Sequence, residues 1–270
     1  MIPKIIHQTW KDKNLPDILK NILDANKNTL HDYEFRLWSD NEIIELIKTE
    51  YPYLSKIYQS TRTGVQKGDI ARIVLVHRFG GIYVDLDILI LKDPVEGLQL
   101  TEDKLYITYE PSAQTMRLYK KDDYLCNAFF AANKGNNMLN LALQNMGGLF
   151  QRNGASIFMQ FDIFGGSYLK SIIEAYINYQ RDVCIIENRD MVFPINDLKF
   201  TNLSSSQSDW QLIKDASYPP NTTMVHYWIH GDFESKKLLT EFKCNKSHDI
   251  HKNVFDFFCS LYPENAKQLC

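Results

Sequence analysis

The run Ile82-Tyr83-Val84-Asp85-Leu86-Asp87-Ile88-Leu89-Ile90-Leu91 constrains this chain more than any other stretch. Apart from its aspartates it is apolar and rich in branched residues, the composition of a strand buried on both faces. Gly80-Gly81 precedes it and closes a long apolar helix predicted over Val65–Phe79. Residues two apart in a strand point the same way, which places Asp85 and Asp87 on one face with Cα atoms ~6.6 Å apart. Ile82, Val84, Leu86, Ile88 and Ile90 take the other face. Two like charges on a buried strand are costly unless something neutralises them. A divalent cation is one solution, because hard oxygen ligands suit Mg²⁺ or Mn²⁺. The plainer alternative is an acidic pair at a solvated strand end, held by backbone N–H groups.

The preceding helix is apolar nearly all round through Ile70, Ala71, Ile73, Val74, Leu75 and Val76, so it is expected to be buried. Asp69 and Arg72 nevertheless sit on it, three apart and on one side. They form either a private ion pair or a polar face toward the cleft of the acidic pair, where Arg72 meets phosphate and Asp69 accepts from hydroxyls. Lys67 reads as an exposed helix-start lysine.

Around this centre strands alternate with helices. Ile2–Thr9 and Tyr33–Trp38 read as strands, and Pro16–Thr29 has helical spacing. Ser39 opens a further helix with Glu42 three residues on, a capping-box pattern. Further strands are predicted at Leu105–Tyr109, Ala128–Ala132, Val183–Glu187 and Met224–Ile229. Further helices are predicted at Asn137–Phe150, Tyr168–Tyr179 and Asp249–Leu261. The Ser-rich stretch 202–208 reads as a surface loop. The order implies an α/β fold with a mostly parallel central sheet. No linker forces a boundary, so residues 1–270 read as one domain, with a nucleotide-binding half over 1–100 and an acceptor-side half over 101–270.

At net charge −3, no chain-wide basic footprint for nucleic acid exists. No signal-peptide core or run of ~18 apolar residues occurs, and five scattered cysteines without a CxxC pair read as free thiols. A soluble cytoplasmic protein without a membrane span is expected, with peripheral membrane association left open.

Three segments together carry a family resemblance: Ile2-Pro3-Lys4-Ile5-Ile6-His7-Gln8-Thr9-Trp10, the strand end Phe35-Arg36-Leu37-Trp38-Ser39-Asp40, and Lys67-Gly68-Asp69-Ile70-Ala71-Arg72 through Asp87. In order and spacing they resemble glycosyltransferase family 32, the DXD-containing sugar transferases related to fungal α-mannosyltransferases, and more distantly the glucosylating domains of large clostridial toxins. The resemblance implies a GT-A fold holding a nucleotide-sugar at the carboxyl edge of its sheet, the usual ligand position in open α/β sheets. It implies that Trp10 stacks on the nucleobase, the alternative being a core aromatic. It further implies that Asp69 and Arg72 touch ribose, sugar or phosphate, that Asp85 holds hydroxyls and helps with the metal, and that Asp87 is the direct metal ligand.

The later half resembles the family more loosely. In Met224-Val225-His226-Tyr227-Trp228-Ile229-His230-Gly231-Asp232-Phe233 a histidine completes the metal shell by resemblance. His226 is favoured over His230, and Asp232 stands as a further candidate because Asp232-Phe233 replaces the family's usual Ser-Trp. Asn127 resembles the asparagine of the sugar pocket. Gln160 and Asp162 resemble the segment facing the anomeric carbon, although Gly165-Gly166 stands where the family has Gly-Pro. His248 and His251 read as surface residues.

The implied reaction is metal-dependent, retaining transfer of a hexose or N-acetylhexosamine from a nucleoside diphosphate sugar to a glycan or lipid-linked acceptor. A UDP-sugar is favoured over GDP-mannose, with the donor otherwise open. Two alternatives stand beside it. One is a phosphohydrolase of the haloacid dehalogenase type, with Asp85 as nucleophile, Asp87 as acid/base and Asp122-Asp123 as its late acidic pair. The other is a nucleotide-sugar-binding protein without turnover.

Overall fold

The computed structural model describes residues 1–159, 163–200, 203–229 and 233–267. The first half runs β1 (Ile5–Trp10), α1 (Asp17–Thr29), β2 (Glu34–Ser39), α2 (Asp40–Glu50), α3 (Ser55–Gln59), α4 (Gly64–Phe79), β3 (Gly81–Val84) and β4 (Ile88–Ile90). It continues through α5 (Pro94–Gly97), β5 (Leu105–Tyr109), α6 (Ser112–Leu118), β6 (Leu125–Ala132), α7 (Asn137–Asn153) and α8 (Gly166–Ala175). The rest comprises β7 (Val183–Ile186), α9 (Leu203–Asp215), β8 (Met224–His226), α10 (Phe233–Glu241), α11 (Ile250–Leu261) and α12 (Pro263–Ala266).

A six-stranded sheet has the order β2-β1-β3-β6-β5-β7. β1 pairs in parallel with β2 and β3, and β5 with β7, whereas β6 is antiparallel to both β3 and β5. One strand therefore opposes the others, and the mostly parallel α/β sheet expected from the sequence is what forms. β4 and β8 form a second, two-stranded antiparallel sheet.

Alternation along the strands divides the interior. Tyr83 and Phe130 pack with Ile70, Ile73 and Val74 of α4 and with α7 and α8 on one face. Ile82, Val84, Phe129 and Ala131 pack with Phe193 and Met224 on the other. A third core gathers Ile18, Leu19 and Ile22 of α1, Trp210 of α9 and Val254, Phe257 and Phe258 of α11 around Leu89 and Val225. Asn26, fully buried on α1, ties that core to the second sheet. Its Nδ2 donates to the Ile88 carbonyl at 2.8 Å and its Oδ1 accepts from the Ile90 N–H at 2.7 Å, satisfying a strand edge that β8 leaves open.

The local signals behave as read. The Ser39–Glu42 capping box closes on α2. Thr63 caps α4 by accepting from the Gln66 N–H, and Gly80 ends it at φ 68°. Gly81 follows at φ 101°, where a Cβ would stand 2.6 Å from the Ile5 carbonyl oxygen. The glycine pair thus lets α4 turn straight into β3 against β1. Three expectations are corrected. The Ser-rich stretch read as a loop enters helix α9, whose far side is anchored by fully buried Trp210. The strand expected over Met224–Ile229 stops at His226, because β4 offers only three residues to pair and Trp228 takes φ 53°. The continuous strand expected over Ile82–Leu91 is broken at the aspartates. Among the described residues, no helix is long and apolar enough to cross a membrane.

Candidate functional site

β3 ends at Val84, and there the chain leaves the six-stranded sheet. The Asp85 N–H still donates to the Ala128 carbonyl at 2.9 Å, after which the Ile88 N–H folds back onto the Asp85 carbonyl at 3.1 Å. Asp85-Leu86-Asp87 is therefore a turn between two sheets, which corrects the placement of both aspartates on one strand face. The period of two holds only while strand pairing continues, and the partner of β4 is β8, far along the chain. Ile82, Val84, Ile88 and Ile90 do share a core, but Leu86 joins Leu89 in a different one.

The turn still brings the carboxylates together, and β8 adds an imidazole. One ligand atom each of Asp85, Asp87 and His226 lies within 4.8 Å of the others. His226 Nε2 is 3.2 Å from Asp87 Oδ2, which also accepts the Ile229 N–H at 2.7 Å. Burial opposes both charges, yet their mutual attraction prevails: Asp87 is held below the usual carboxylate range, and His226 is raised above the ordinary histidine value. Burial pushes Asp85 up, and the neighbouring Asp87 adds to this while Arg72 opposes it.

The helix pair is neither purely private nor purely outward. Arg72 Nη2 lies 3.7 Å from Asp69 Oδ1 and 3.4 Å from Asp85 Oδ1, so one guanidinium serves both carboxylates. Its Nη1 donates to the Asn127 carbonyl at 2.8 Å, and the Asn127 amide donates to Asp69 Oδ1 at 2.8 Å. Attraction from Asp85 and Asp69 outweighs desolvation and keeps Arg72 charged. Lys67 instead pairs at the half-exposed surface with Asp40, as a helix-start lysine does.

The sequence reading missed Tyr83 and Thr9. Tyr83 donates its hydroxyl to Asp85 Oδ1 at 2.7 Å and meets Thr9 Oγ1 at 3.0 Å, while the Arg72 guanidinium lies 4.8 Å from the centre of its ring. The signal was available, since Tyr83 stands two residues before Asp85, near the end of the strand that leads into the turn. Glu110, just past β5, was also missed; its charge adds to the field that raises His226.

Trp10 is half-buried at the end of β1, against the third core. Its Nε1 is buried and has no hydrogen-bond partner among the described residues. Trp228 packs its ring 4.0 Å from that of His226 and donates to the Ile195 carbonyl. Gln160, Asp162, His230 and Asp232 lie outside the described residues. His248 is a half-buried partner of Asp256, and His251 is also half-buried, so neither is a plain surface residue.

Two carboxylates and one imidazole form a donor set that Mn²⁺ accepts and that Mg²⁺ shares through its oxygens. The fit is supported by His226 Nδ1, buried without a hydrogen-bond partner among the described residues while Nε2 faces Asp87.

An acidic turn at the carboxyl end of a central strand, faced by a late histidine and flanked by a buried arginine, is the candidate site of this α/β fold. Residues 16–109 match the family described as "Glycosyltransferase sugar-binding region containing DXD motif". The chain is 38% identical over 91 residues to inositol phosphoceramide mannosyltransferase 3 of Schizosaccharomyces pombe, covering 32% of this chain and 24% of that protein. It is 31% identical over 104 residues to the initiation-specific alpha-1,6-mannosyltransferase of Saccharomyces cerevisiae, covering 36% of this chain and 22% of that one. The aligned stretch thus spans about a quarter of the curated relatives' length. Among solved structures, the UDP-bound glycosyltransferase domain from the YGT toxin aligns over 99% of both chains at 11% identity, with a TM-score of 0.47.

Proposed function

We propose that the chain is a metal-dependent, retaining glycosyltransferase that moves a hexose or N-acetylhexosamine from a nucleoside diphosphate sugar to a glycan or lipid-linked acceptor. The observation that carries this reading is the gathering of Asp85, Asp87 and His226 within 4.8 Å, beside a guanidinium 3.4 Å from Asp85. The matched sugar-binding region ends beyond this turn and includes both aspartates and Arg72.

Asp87, Asp85 and His226 would hold the cation, which when bound supplies Lewis-acid stabilisation of charge developing on a leaving diphosphate. Arg72 adds a fixed positive charge, oriented by the Asn127 carbonyl and needing no reorganisation as charge builds. Tyr83 and Arg72 both engage Asp85 Oδ1 and so fix the plane of that carboxylate. Asp85 is 27% exposed by side chain, whereas Asp69 and Arg72 are nearly closed off, so Asp85 is the group of this cluster best placed to meet sugar hydroxyls. Trp10 stacks on the base and Asn127 borders the sugar, and the family resemblance assigns Gln160 and Asp162 to the anomeric carbon. With no covalent nucleophile assigned, a front-face path is favoured, in which the leaving diphosphate accepts the acceptor's proton. Retention follows from the family resemblance.

The names of the relatives bring mannose forward as the donor sugar and an inositol phosphoceramide type of glycolipid as acceptor. That weighs against the UDP-sugar favoured from the sequence. The phosphohydrolase alternative loses support because Asp122 and Asp123 are more than half exposed and pair with Arg189 and Lys170, outside the Asp85 cluster.

Asp87→Asn keeps a hydrogen-bond acceptor for the Ile229 N–H but removes the charge. Mn²⁺-dependent transfer from the preferred donor is expected to fall by about 10²–10³-fold. Wild-type turnover in Asp87→Asn or in Asp85→Ala would sink the metal assignment.

A further inference from the structure

Among the described residues, the non-glycine positions with a positive φ are Gln99, Lys120, Ala216 and Trp228. The first three stand just past the ends of α5, α6 and α9, where a left-handed residue is a usual way to stop a helix. Trp228 is different. It stands two residues beyond the end of β8, at φ 53°, and it is a bulky side chain in a region that such residues avoid. A backbone in that conformation persists only when its surroundings hold it, and such positions cluster at functional sites.

The surroundings of Trp228 do hold it. Its indole Nε1 donates to the Ile195 carbonyl at 3.0 Å. Its ring centre lies 4.0 Å from that of His226 and 5.6 Å from that of buried Phe193. The Phe193 and His226 rings are themselves 5.6 Å apart. The three rings therefore pack on one another, anchored on Phe193 and Ile195, which are core residues.

The turn has its effect at the acidic cluster. With Trp228 left-handed, the N–H that follows it, that of Ile229, reaches Asp87 Oδ2 and donates to it at 2.7 Å. His226 Nε2 approaches the same oxygen at 3.2 Å. A metal-binding imidazole usually has its second nitrogen bonded to a carboxylate or carbonyl that fixes the ring. His226 Nδ1 is buried without a hydrogen-bond partner among the described residues, so ring packing by Trp228 and Phe193 takes that place.

We propose that Trp228 is a positioning residue of the cation site: its left-handed turn orients Asp87 through the Ile229 N–H, and its ring orients the His226 imidazole. One residue thereby sets two of the three ligands before a cation arrives, and a preorganised pair loses less freedom on binding. The role at the cation rests on the metal reading of Asp85, Asp87 and His226; the hold on the turn does not. Packing alone and positioning make opposite forecasts for small replacements. Glycine removes one carbon more than alanine and adds chain freedom, yet it takes a positive φ without strain.

Trp228→Ala, Trp228→Gly and Trp228→Phe in the full chain test it, with Mn²⁺ alone as the probe and its binding followed by electron paramagnetic resonance. Trp228→Ala should lower Mn²⁺ affinity by about 10–100-fold. Trp228→Gly, which adopts the turn freely, and Trp228→Phe, which keeps a ring on His226, should each bind at least about threefold more tightly than Trp228→Ala. Without metal, the Ile229 amide should exchange at least about tenfold faster in Trp228→Ala than in the wild type, and Trp228→Gly should recover part of that protection. Wild-type Mn²⁺ affinity in Trp228→Ala, or Trp228→Gly binding no more tightly than Trp228→Ala, would overturn the proposal while leaving the metal reading in place. No Mn²⁺ binding by the wild type would remove the metal reading and the role at the cation with it, and unchanged Ile229 exchange in Trp228→Ala would remove the hold on the turn.

Discussion

His226 Nε2 stands 3.2 Å from Asp87 Oδ2, and this contact fastens the second sheet to the acidic turn. Asp87 reinforces it twice more, accepting the Ile229 N–H on its side chain at 2.7 Å and the Tyr227 N–H on its carbonyl at 3.0 Å. The residue proposed to bind metal is thus also the one that positions the strand supplying the third ligand. Metal affinity and the seating of β8 are coupled through one side chain.

The same pair sets a pH dependence for the metal-free protein. His226 is raised above its ordinary 6.5 because Asp87 outweighs its desolvation, so its stabilising contribution is complete below pH 6.5 and lost as pH rises through the raised value. Asp87 is lowered from 3.8, so its contribution is present above pH 3.8 and lost as pH falls through the lowered value. Asp85, raised by burial, acts in the same direction as His226, beginning above pH 3.8. Urea midpoints without metal should decline as pH climbs beyond 6.5, whereas Mn²⁺ affinity should rise over the same range because the ligand is neutral imidazole. Parallel trends in the two measurements would contradict this coupling.

Arg72 is 7% exposed and balances Asp69 and Asp85 at once. Arg72→Met retains its packing on Tyr83 but leaves buried carboxylates without their counter-charge. Breaking a buried pair in this way costs about 3–5 kcal/mol, or roughly 6–15 °C in a chain of this size. Calorimetry should find that loss, and should find it reduced at low pH, where Asp85 protonates. A variant as stable as the wild type at neutral pH would mean that the cluster is not electrostatically closed.

Gly166 opens α8 against β6, and a Cβ there would fall inside the van der Waals radius of the Leu125 carbonyl oxygen. The obstacle is backbone in the central sheet and cannot rotate away. Gly166→Ala should therefore destabilise by at least about 3 kcal/mol. Gly64→Ala, at the exposed start of α4 where a Cβ meets nothing within 4 Å, should be neutral or stabilising by up to about 1 kcal/mol. Denaturant midpoints of the two variants compare them directly, and similar losses would refute the packing at β6.

Local and periodic signals were legible in the sequence. The capping box at Ser39, the glycine stop at Gly80-Gly81 and the buried helix with Asp69 and Arg72 on one side follow from short-range chemistry; the choice of His226 rests on the family resemblance, and the structure places it within 4.8 Å of Asp85 and Asp87. What failed depended on distant partners. Asp85 and Asp87 read as strand residues because the apolar pattern is continuous, yet the pairing changes from β6 to β8 between Val84 and Ile88. The serines after Asn202 read as a loop because composition alone does not reveal that Trp210 anchors their helix in the third core. The Ile229 N–H on Asp87 depends on the left-handed turn at Trp228, for which a non-glycine residue gives no warning.

The most direct test of the site is a thermal-shift panel of UDP, GDP and their sugars, with and without Mn²⁺, on the wild type and on Asp87→Asn. A metal-dependent donor site gives a rise of roughly 5–10 °C at saturating concentrations of one nucleotide series. That rise should appear only with Mn²⁺ and vanish in Asp87→Asn. A shift that persists without metal and in the variant, or no shift with any nucleotide, would contradict it.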